Sequence, residues 1–169
     1  MHPERVIDDR IRGYLDETVF VRLATVTPSG RPHVAPYWFA TDGERIVIST
    51  LANQTVRNLR ANPDAAVLVD LGTDFRELRG ALIRGSSREY GPNADVPPQI
   101  QSLLDDIDRT HAPEHVQPEF ETYSRFETRD HITLEIIPAS ASWFDLGAAQ
   151  MGRTGAGSDR PIGPPPAAT

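Results

Sequence analysis

Residues 21–70 read VRLATVTPSGRPHVAPYWFATDGERIVISTLANQTVRNLRANPDAAVLVD. Branched and aromatic residues are concentrated in three short runs, at 19–26, 32–40 and 45–50, and such runs are typical of β-strands. The segments PSGR and TDGE, which separate the runs, have the composition of tight turns. Three strands joined by two short turns predict an antiparallel meander.

A short helix should follow the meander. Asn53 is a suitable N-cap, and Asn62-Pro63 should end the helix near residue 61. Further strands are predicted at 65–71, 78–90, 132–137 and 141–146. The strand at 78–90 should bend or bulge at Gly80 or Gly85, and Pro138 should separate the last two strands. Further helices are predicted at 4–16, 97–109 and near 118–125. The pattern predicts a mainly β, α+β domain of six to seven antiparallel strands with peripheral helices, arranged as a barrel or sandwich.

Composition excludes several classes of protein. A chain of 169 residues suits one domain, and no apolar run approaches the roughly 20 residues that span a bilayer. The N-terminus lacks the apolar core of a signal peptide, so we expect a cytoplasmic protein without membrane contact. Cysteine is absent and all 17 basic residues are arginine. Disulfides, thiolate metal sites, a phosphate-loop lysine and a Schiff-base lysine are therefore excluded.

The charge distribution argues against a nucleic-acid partner. The net charge is −7, and arginines alternate with acidic residues instead of forming a basic face. A small-molecule ligand with an anionic group remains compatible with this charge distribution, because one or two arginines can hold a phosphate. We therefore expect a small-molecule substrate.

The C-terminal segment 147–169 is rich in Gly, Ala, Ser and Pro. This composition predicts a disordered tail, which places the folded domain at 1–146. An alternative is that Met151 or Arg153 folds over a ligand.

Three pieces of the sequence carry a family resemblance: LATVTPSGRPHVAPYWF, then IVIST leading into a helix, then VRNLRANPDAAVLVD. In this order and spacing they resemble the pyridoxamine 5'-phosphate oxidase-like split β-barrels, especially the flavin- or deazaflavin-dependent oxidoreductases. The resemblance covers residues 5–146 and includes the final ITLEIIPASASWFDL. It implies a split β-barrel and a homodimer with cofactor sites at the subunit interface. The implied cofactor is coenzyme F-420 or FMN, with a preference for F-420, and haem is a weaker alternative.

The resemblance also implies a phosphate site. It assigns cofactor contacts to Ser49 and Thr50 at a strand end and to Thr55, Arg57 and Arg60 on the following helix. A strand end that leads into a helix offers hydroxyls and free backbone N–H groups to an anion, and an arginine adds a planar charged fork. Members of this family often carry lysine where this chain has Thr55, which leaves the choice of cofactor open.

Aromatic residues provide a second set of candidates. Alternation along residues 32–40 directs Tyr37 and Phe39 to one face and Pro36 and Trp38 to the other. One pair should enter the core, and the other could border the cofactor or the dimer seam. Among family members this strand lies near the cofactor ring, so Pro36 and Trp38 are candidate contacts. Trp143 resembles a position that approaches the cofactor of the partner subunit, and core packing is its alternative.

The histidines and acids give weaker signals. His33 could carry a proton and His131 could be an axial haem ligand, although an exposed position explains both. His111 and His115 have metal-ligand spacing but flank Pro113, so we expect no metal site. Asp105, Asp106 and Asp108 fit the wet face of a helix. The sequence thus predicts an oxidoreductase that transfers hydride between a bound cofactor and a small organic substrate; the alternative is a non-catalytic cofactor-binding or haem-binding barrel.

Overall fold

A computed structural model describes residues 5–111 and 130–155 of the chain. The elements in chain order are α1 (Asp9–Asp16), β1 (Phe20–Val26), β2 (Pro32–Trp38), β3 (Ala40–Thr41), β4 (Ile46–Thr50), α2 (Gln54–Ala61), β5 (Asp64–Leu71), β6 (Arg79–Tyr90), α3 (Pro98–His111), β7 (Ile132–Asp145) and β8 (Gln150–Gly155). The helix expected near 118–125 and the His115 position lie outside the described residues.

The strands form one antiparallel sheet in the order β2-β1-β5-β6-β7-β4-β3, and β8 pairs with β7. The sheet curls until β2 contacts β4 without a ladder between them, and α2 packs against β1 and β2 near this opening. The predicted split β-barrel of antiparallel strands with peripheral helices is therefore confirmed.

Strict alternation fills the interior of the barrel. Val21 and Leu23 of β1 and the alternate isoleucines of β4, Ile46 and Ile48, are fully buried. They pack with Leu134, Ile136 and the other inward residues of β5, β6 and β7 in one apolar cluster. Because side chains of a strand alternate between faces, this pattern also fixes which polar residues face outward.

Two helices close the barrel surface. Asp8 caps α1 by accepting a 2.8 Å hydrogen bond from the backbone N of Ile11, so this helix begins later than the predicted residue 4. Helix α3 lies outside the barrel, where Ile100, Leu103 and Ile107 pack against Val47 of β4. No helix within residues 5–111 and 130–155 is long and apolar enough to cross a membrane.

Strand β7 corrects the prediction of two strands separated by Pro138. It runs unbroken for 14 residues, and its register with β6 shifts at Arg84/Gly85, where Gly85 faces Pro138. Proline removes one ladder donor, and the bulge at this point absorbs the irregularity. The bulged residue is Ala139 of β7, and a Cβ on Gly85 opposite it would lie 2.0 Å from the carbonyl oxygen of Ile137, which explains the glycine at this position.

Strand β8 corrects the predicted start of the tail at residue 147. Residues 146–149 form a turn, and Gln150–Gly155 then pair with Ser140–Asp145 of β7. Composition alone missed this strand because its stability comes from the β7 ladder and from packing on Trp143, which are long-range interactions. Residues 156–169 lie outside the described part.

A buried carboxylate joins the strands on the outer side of the sheet. Glu135 of β7 is 3% exposed and accepts hydrogen bonds from Tyr90 Oη at 2.8 Å and from Arg45 Nη1 at 3.2 Å. Arg88 Nη1 lies 3.4 Å from the second oxygen. Burial lowers the pKa of Arg45, but the charges of Asp42 and Glu135 and a hydrogen bond to Glu44 raise it above its ordinary value. The carboxylate is thus satisfied by three donors.

Candidate functional site

The end of β4 separates two polar regions. Ile46 and Ile48 point into the barrel, so Thr50 shares their face, whereas Ser49 shares the outward face of Val47. Ser49 and Thr50 were both predicted to contact one phosphate. The structure instead directs their side chains to opposite faces of the strand.

A chain of hydrogen bonds joins β4, α2 and β2 at the opening of the barrel. Asn53 Nδ2 donates to Thr50 Oγ1 at 3.0 Å and to Tyr37 Oη at 3.1 Å. Tyr37 Oη donates to Thr55 Oγ1 at 2.8 Å, and His33 Nε2 lies 3.1 Å from the same oxygen. We call these five residues the α2 polar cluster. It places the side chains of three elements around the first turn of α2.

Thr55 occupies the centre of the α2 polar cluster. Its side chain is fully buried, and its hydroxyl is engaged by both Tyr37 and His33. Threonine closes the inner side of the cluster, so its hydroxyl can meet a ligand only after losing a hydrogen bond.

The two arginines of α2 have different surroundings. Arg57 is exposed, and its Nη2 donates a 2.8 Å hydrogen bond to Gln54 Oε1 within the first turn of the helix. Arg60 instead forms a two-pronged pair with Glu89 of β6, with contacts of 2.7 Å and 2.9 Å. Hydrogen bonding to Glu89, together with its charge, raises the pKa of Arg60. Arg57 is therefore the better placed of the two to meet an anion at the start of α2.

Pro36 and Trp38 lie on the outer face of the sheet, as alternation predicts. Trp38 is 42% exposed and stacks on Phe20 of β1, with ring centroids 6.1 Å apart. Tyr37 and Phe39 turn inward, but the Tyr37 hydroxyl belongs to the α2 polar cluster. Alternation alone leaves open which pair enters the core, and the polar start of the helix at Asn53 is the sequence signal for a second role of Tyr37.

Trp143 lies far from the α2 polar cluster of its own chain. Ser49 pairs with Thr133, and Trp143 is ten residues further along β7, or roughly 33 Å at the rise of an extended strand. The Arg10 guanidinium sits 4.1 Å from the Trp143 ring centroid, and Gly152 packs against the indole. A cofactor contact by Trp143 would therefore have to be made in the partner subunit.

Ser49 faces a pocket under α3. Its Oγ lies 2.9 Å from Nδ1 of His131, and both residues line a cavity of about 310 Å³ with Asp108. Asp105 is engaged by Gln101 and Asp106 by Arg109, which fits the predicted wet helix face. The side chain of His111 is outside the described part, and no group of three His, Asp or Glu side chains able to hold a metal is present in the part that is described.

Comparison with known proteins identifies the family. The model of the pyridoxamine 5'-phosphate oxidase family matches residues 7–105, more than half of the chain, and the chain belongs to this family. The match runs from α1 into α3 and includes the whole α2 polar cluster. No curated protein matches the chain in sequence.

Solved structures share the fold at low sequence identity. A conserved hypothetical protein of Mycobacterium tuberculosis superposes with a TM-score of 0.66 at 20% identity, covering 94% of this chain and 99% of the other. An F420 reductase has a TM-score of 0.59 at 23% identity, with coverages of 80% and 98%. A haem-binding protein of Mycobacterium smegmatis has a TM-score of 0.64 at 16% identity over 92% of this chain, which spans 59% of that protein.

Proposed function

We propose that this chain is a homodimeric oxidoreductase that binds a flavin or deazaflavin beside the α2 polar cluster and transfers hydride to or from a small organic substrate. The observation that carries the proposal is the convergence of β2, the end of β4 and the first turn of α2, with Arg57 at its outer edge. Family membership and fold neighbours that include an F420 reductase support it.

The start of α2 could bind a phosphate through backbone N–H groups and one cationic side chain, that of Arg57. The side chain of Asn53 caps the backbone N of Val56 at 3.1 Å, and the N–H groups of Gln54 and Thr55 have no acceptor within the helix. These donors and the helix dipole favour an anion, and Arg57 adds a charged donor whose hydrogen bond in the described structure is a local one to Gln54. The protein would hold the phosphate through Arg57 and backbone groups and not through Thr55.

The protein's part in the reaction is to position and enclose the reactants. When bound, the cofactor would accept or donate the hydride. Tyr37 and Asn53 hold β2 and α2 in fixed relation, so the surfaces that border the ligand are preorganised. The apolar outer face beyond Pro36 and Trp38 would exclude water from one side of the ligand.

The same outer face supports the dimer. Phe20, Val26, Val34 and Trp38 lie on adjacent strands and are each 40–58% exposed. Next to them, a shallow apolar cavity of about 590 Å³ is lined by residues of β1, β2, β5 and β6. Arg22 lies on the same face, opposite Pro36, and pairs with Asp70, so the patch is apolar on both sides of one ion pair. An exposed apolar patch indicates an interaction surface, and we assign this one to a second copy of the chain. A small-molecule substrate, no nucleic acid and a cytoplasmic location complete the proposal.

A paired-variant titration tests the cofactor site. FMN, FAD and coenzyme F-420 are titrated by fluorescence into the wild type, Arg57→Ala and Arg60→Ala. Losing one charge-assisted contact should weaken binding about tenfold in Arg57→Ala. Arg60→Ala is the matched control and should bind within about twofold of wild type, since Glu89 already holds Arg60. Absence of binding by all three cofactors would reject the proposal, and equal effects of both variants would reject the assigned phosphate position.

A haem-binding barrel is the second candidate, and His131 is the observation that favours it. Its Nδ1 is next to Ser49, which orients Nε2 as the nitrogen for iron. A fold neighbour is a haem-binding protein. Haem addition should then produce a Soret band that is lost in His131→Ala and retained in His33→Ala. An unchanged spectrum in the wild type would exclude this candidate.

A further inference from the structure

We propose that the pocket under α3, on the opposite side of β4 from the α2 polar cluster, is a second ligand site. It binds a small uncharged or cationic organic molecule that has hydrogen-bonding groups at one end and an apolar body. This inference does not depend on the proposed cofactor, because its evidence comes from side chains on the other face of the strand.

The inner wall of the pocket offers fixed hydrogen-bonding groups. Ser49 and Thr133 are direct partners across the β4–β7 ladder, so their side chains lie side by side on the outward face. His131 immediately precedes β7 and is fixed by the 2.9 Å contact between its Nδ1 and Ser49 Oγ. Such a bonded pair presents an imidazole and a hydroxyl in one orientation, as ligand recognition requires.

The outer wall is partly apolar, and it also carries the polar side chains of Gln101 and Asp108 of α3. Ala94 and Val96 in the segment before α3, and Leu104 of α3, line the cavity opposite the Ser49–His131 pair. Val96 and Leu104 also pack on the cluster around Val47 and Ile100, which anchors this wall. A volume of about 310 Å³ is at the lower end of the range for small-molecule sites, roughly 300–1,000 Å³. The occupant should therefore be small, with one apolar side.

Charge selects against anions. Asp108 is the one carboxylate among the described residues that line the pocket, and no arginine lines it there. The chain as a whole carries −7. A carboxylate or phosphate ligand would enter against this field without a cationic partner, whereas a cation would gain from Asp108.

Three probes that share one ring and differ in charge test the site: benzamide, benzamidine and benzoate. Each is titrated at pH 8, where an ordinary imidazole is neutral, while backbone amide NMR signals are followed. Benzamide and benzamidine should shift the signals of Ser49, Gly91 and Val96, and benzoate should not. No shift at these positions with any probe, or equal binding of benzoate, would overturn the proposal.

Variants place the binding in the pocket. Asp108→Asn should weaken benzamidine about threefold to tenfold and leave benzamide within twofold. Asp106→Asn, on the same helix but paired with Arg109, is the control and should change neither. Ser49→Ala and the pocket-filling Leu104→Trp should both weaken benzamide. Unaltered binding in both, or displacement of benzamide by FMN, would refute a separate site.

The two proposals fail separately. If the cofactor titration is negative but the probes bind, the second site stands alone. If the cofactor binds and the probes do not, the α2 polar cluster is the ligand site and the inference about the α3 pocket is wrong.

Discussion

The hydroxyl of Tyr37 donates a 2.8 Å hydrogen bond to the buried hydroxyl of Thr55 and thereby joins β2 to the first turn of α2. Both groups lie where the barrel opens between β2 and β4, and no strand ladder connects the two edges there. This bond therefore acts as a lateral tie across the opening.

Breaking the tie should cost stability. Tyr37→Phe leaves Thr55 with one partner fewer and should lower the free energy of unfolding by about 1–2 kcal/mol in urea titrations. In a double-mutant cycle with Thr55→Val, the coupling energy should be about 1 kcal/mol. Additive effects of the two changes would mean that the hydroxyls do not interact.

The Glu135 carboxylate should be a stability determinant. Glu135→Gln weakens three contacts at a side chain that is only 4% exposed, and we expect a loss of about 1–3 kcal/mol. The matched control Glu44→Gln removes a carboxylate that also meets Arg45 but is 64% exposed, and its effect should stay within about 0.5 kcal/mol.

The same network sets an expectation for pH. The pKa of Arg88 is raised by its side-chain hydrogen bond with Tyr90 and by the charge of Glu135. The pKa of Arg45 is raised as well. A group with a raised pKa contributes its full stabilisation below the pKa of the unfolded state and loses it only as the pH rises through the higher pKa of the folded state. These two arginines should therefore add no pH dependence to unfolding measured between about pH 6 and 9.

The outer face of β1 and β2 should hold the dimer together. Val34→Asp places a charge where a side chain is 58% exposed in the single chain, and the dimer should dissociate at least tenfold more readily in sedimentation equilibrium. Phe75→Asp is the control, because Phe75 is even more exposed, at 72%, but lies in the β5–β6 loop. A monomeric wild type, or a dimer weakened only by Phe75→Asp, would contradict this assignment.

Gly85 of β6, which faces the bulge in β7, should tolerate no side chain. Gly85→Ala would set a Cβ against the Ile137 carbonyl, and the resulting backbone shift should cost about 1–3 kcal/mol. Gly13→Ala in α1 meets no atom within 4 Å and should stabilise by up to about 1 kcal/mol, since alanine favours helix. Thermal melts of both variants give the comparison, and a loss of stability in Gly13→Ala equal to that of Gly85→Ala would argue against the bulge as the cause.

Removal of β8 should expose Trp143. A chain that ends at Leu146 loses the strand against which the indole packs, so we expect a lower Tm and red-shifted tryptophan emission. A chain that ends at Gly155 is the control, because it keeps β8 and lacks only residues 156–169. If both truncations melt and emit alike, β8 contributes nothing to the fold.

Local sequence patterns predicted most elements of this fold. Runs of apolar, largely β-branched and aromatic residues located β1, β2, β4 and β5, and Asn53 is the predicted N-cap, with its side chain accepting from the Val56 amide. What they missed depends on partners distant in sequence. Pro138 can lie inside a strand because β7 bulges at Ala139, opposite Arg84 and Gly85, and β8 forms because β7 offers an edge.

The candidate site was predictable in location but not in its internal arrangement. The start of α2 was identified, yet the separation of Ser49 from Thr50 depends on which neighbour faces the barrel core. Arg57 and Arg60 looked equivalent by spacing, and only the position of Glu89 on β6 distinguishes them. Such differences come from tertiary neighbours, which no local pattern encodes.

The opposed orientations of Ser49 and Thr50 have an evolutionary consequence. Two adjacent codons specify side chains of two different regions, Ser49 in the pocket under α3 and Thr50 in the α2 polar cluster. A substitution in one region can therefore change that region while the other keeps its shape. Substitutions at Ser49 could therefore change which molecule binds in the proposed site under α3 without disturbing the hydrogen bond between Tyr37 and Thr55. The end of β4 would thus let selection act independently on the two ligand sites that we propose.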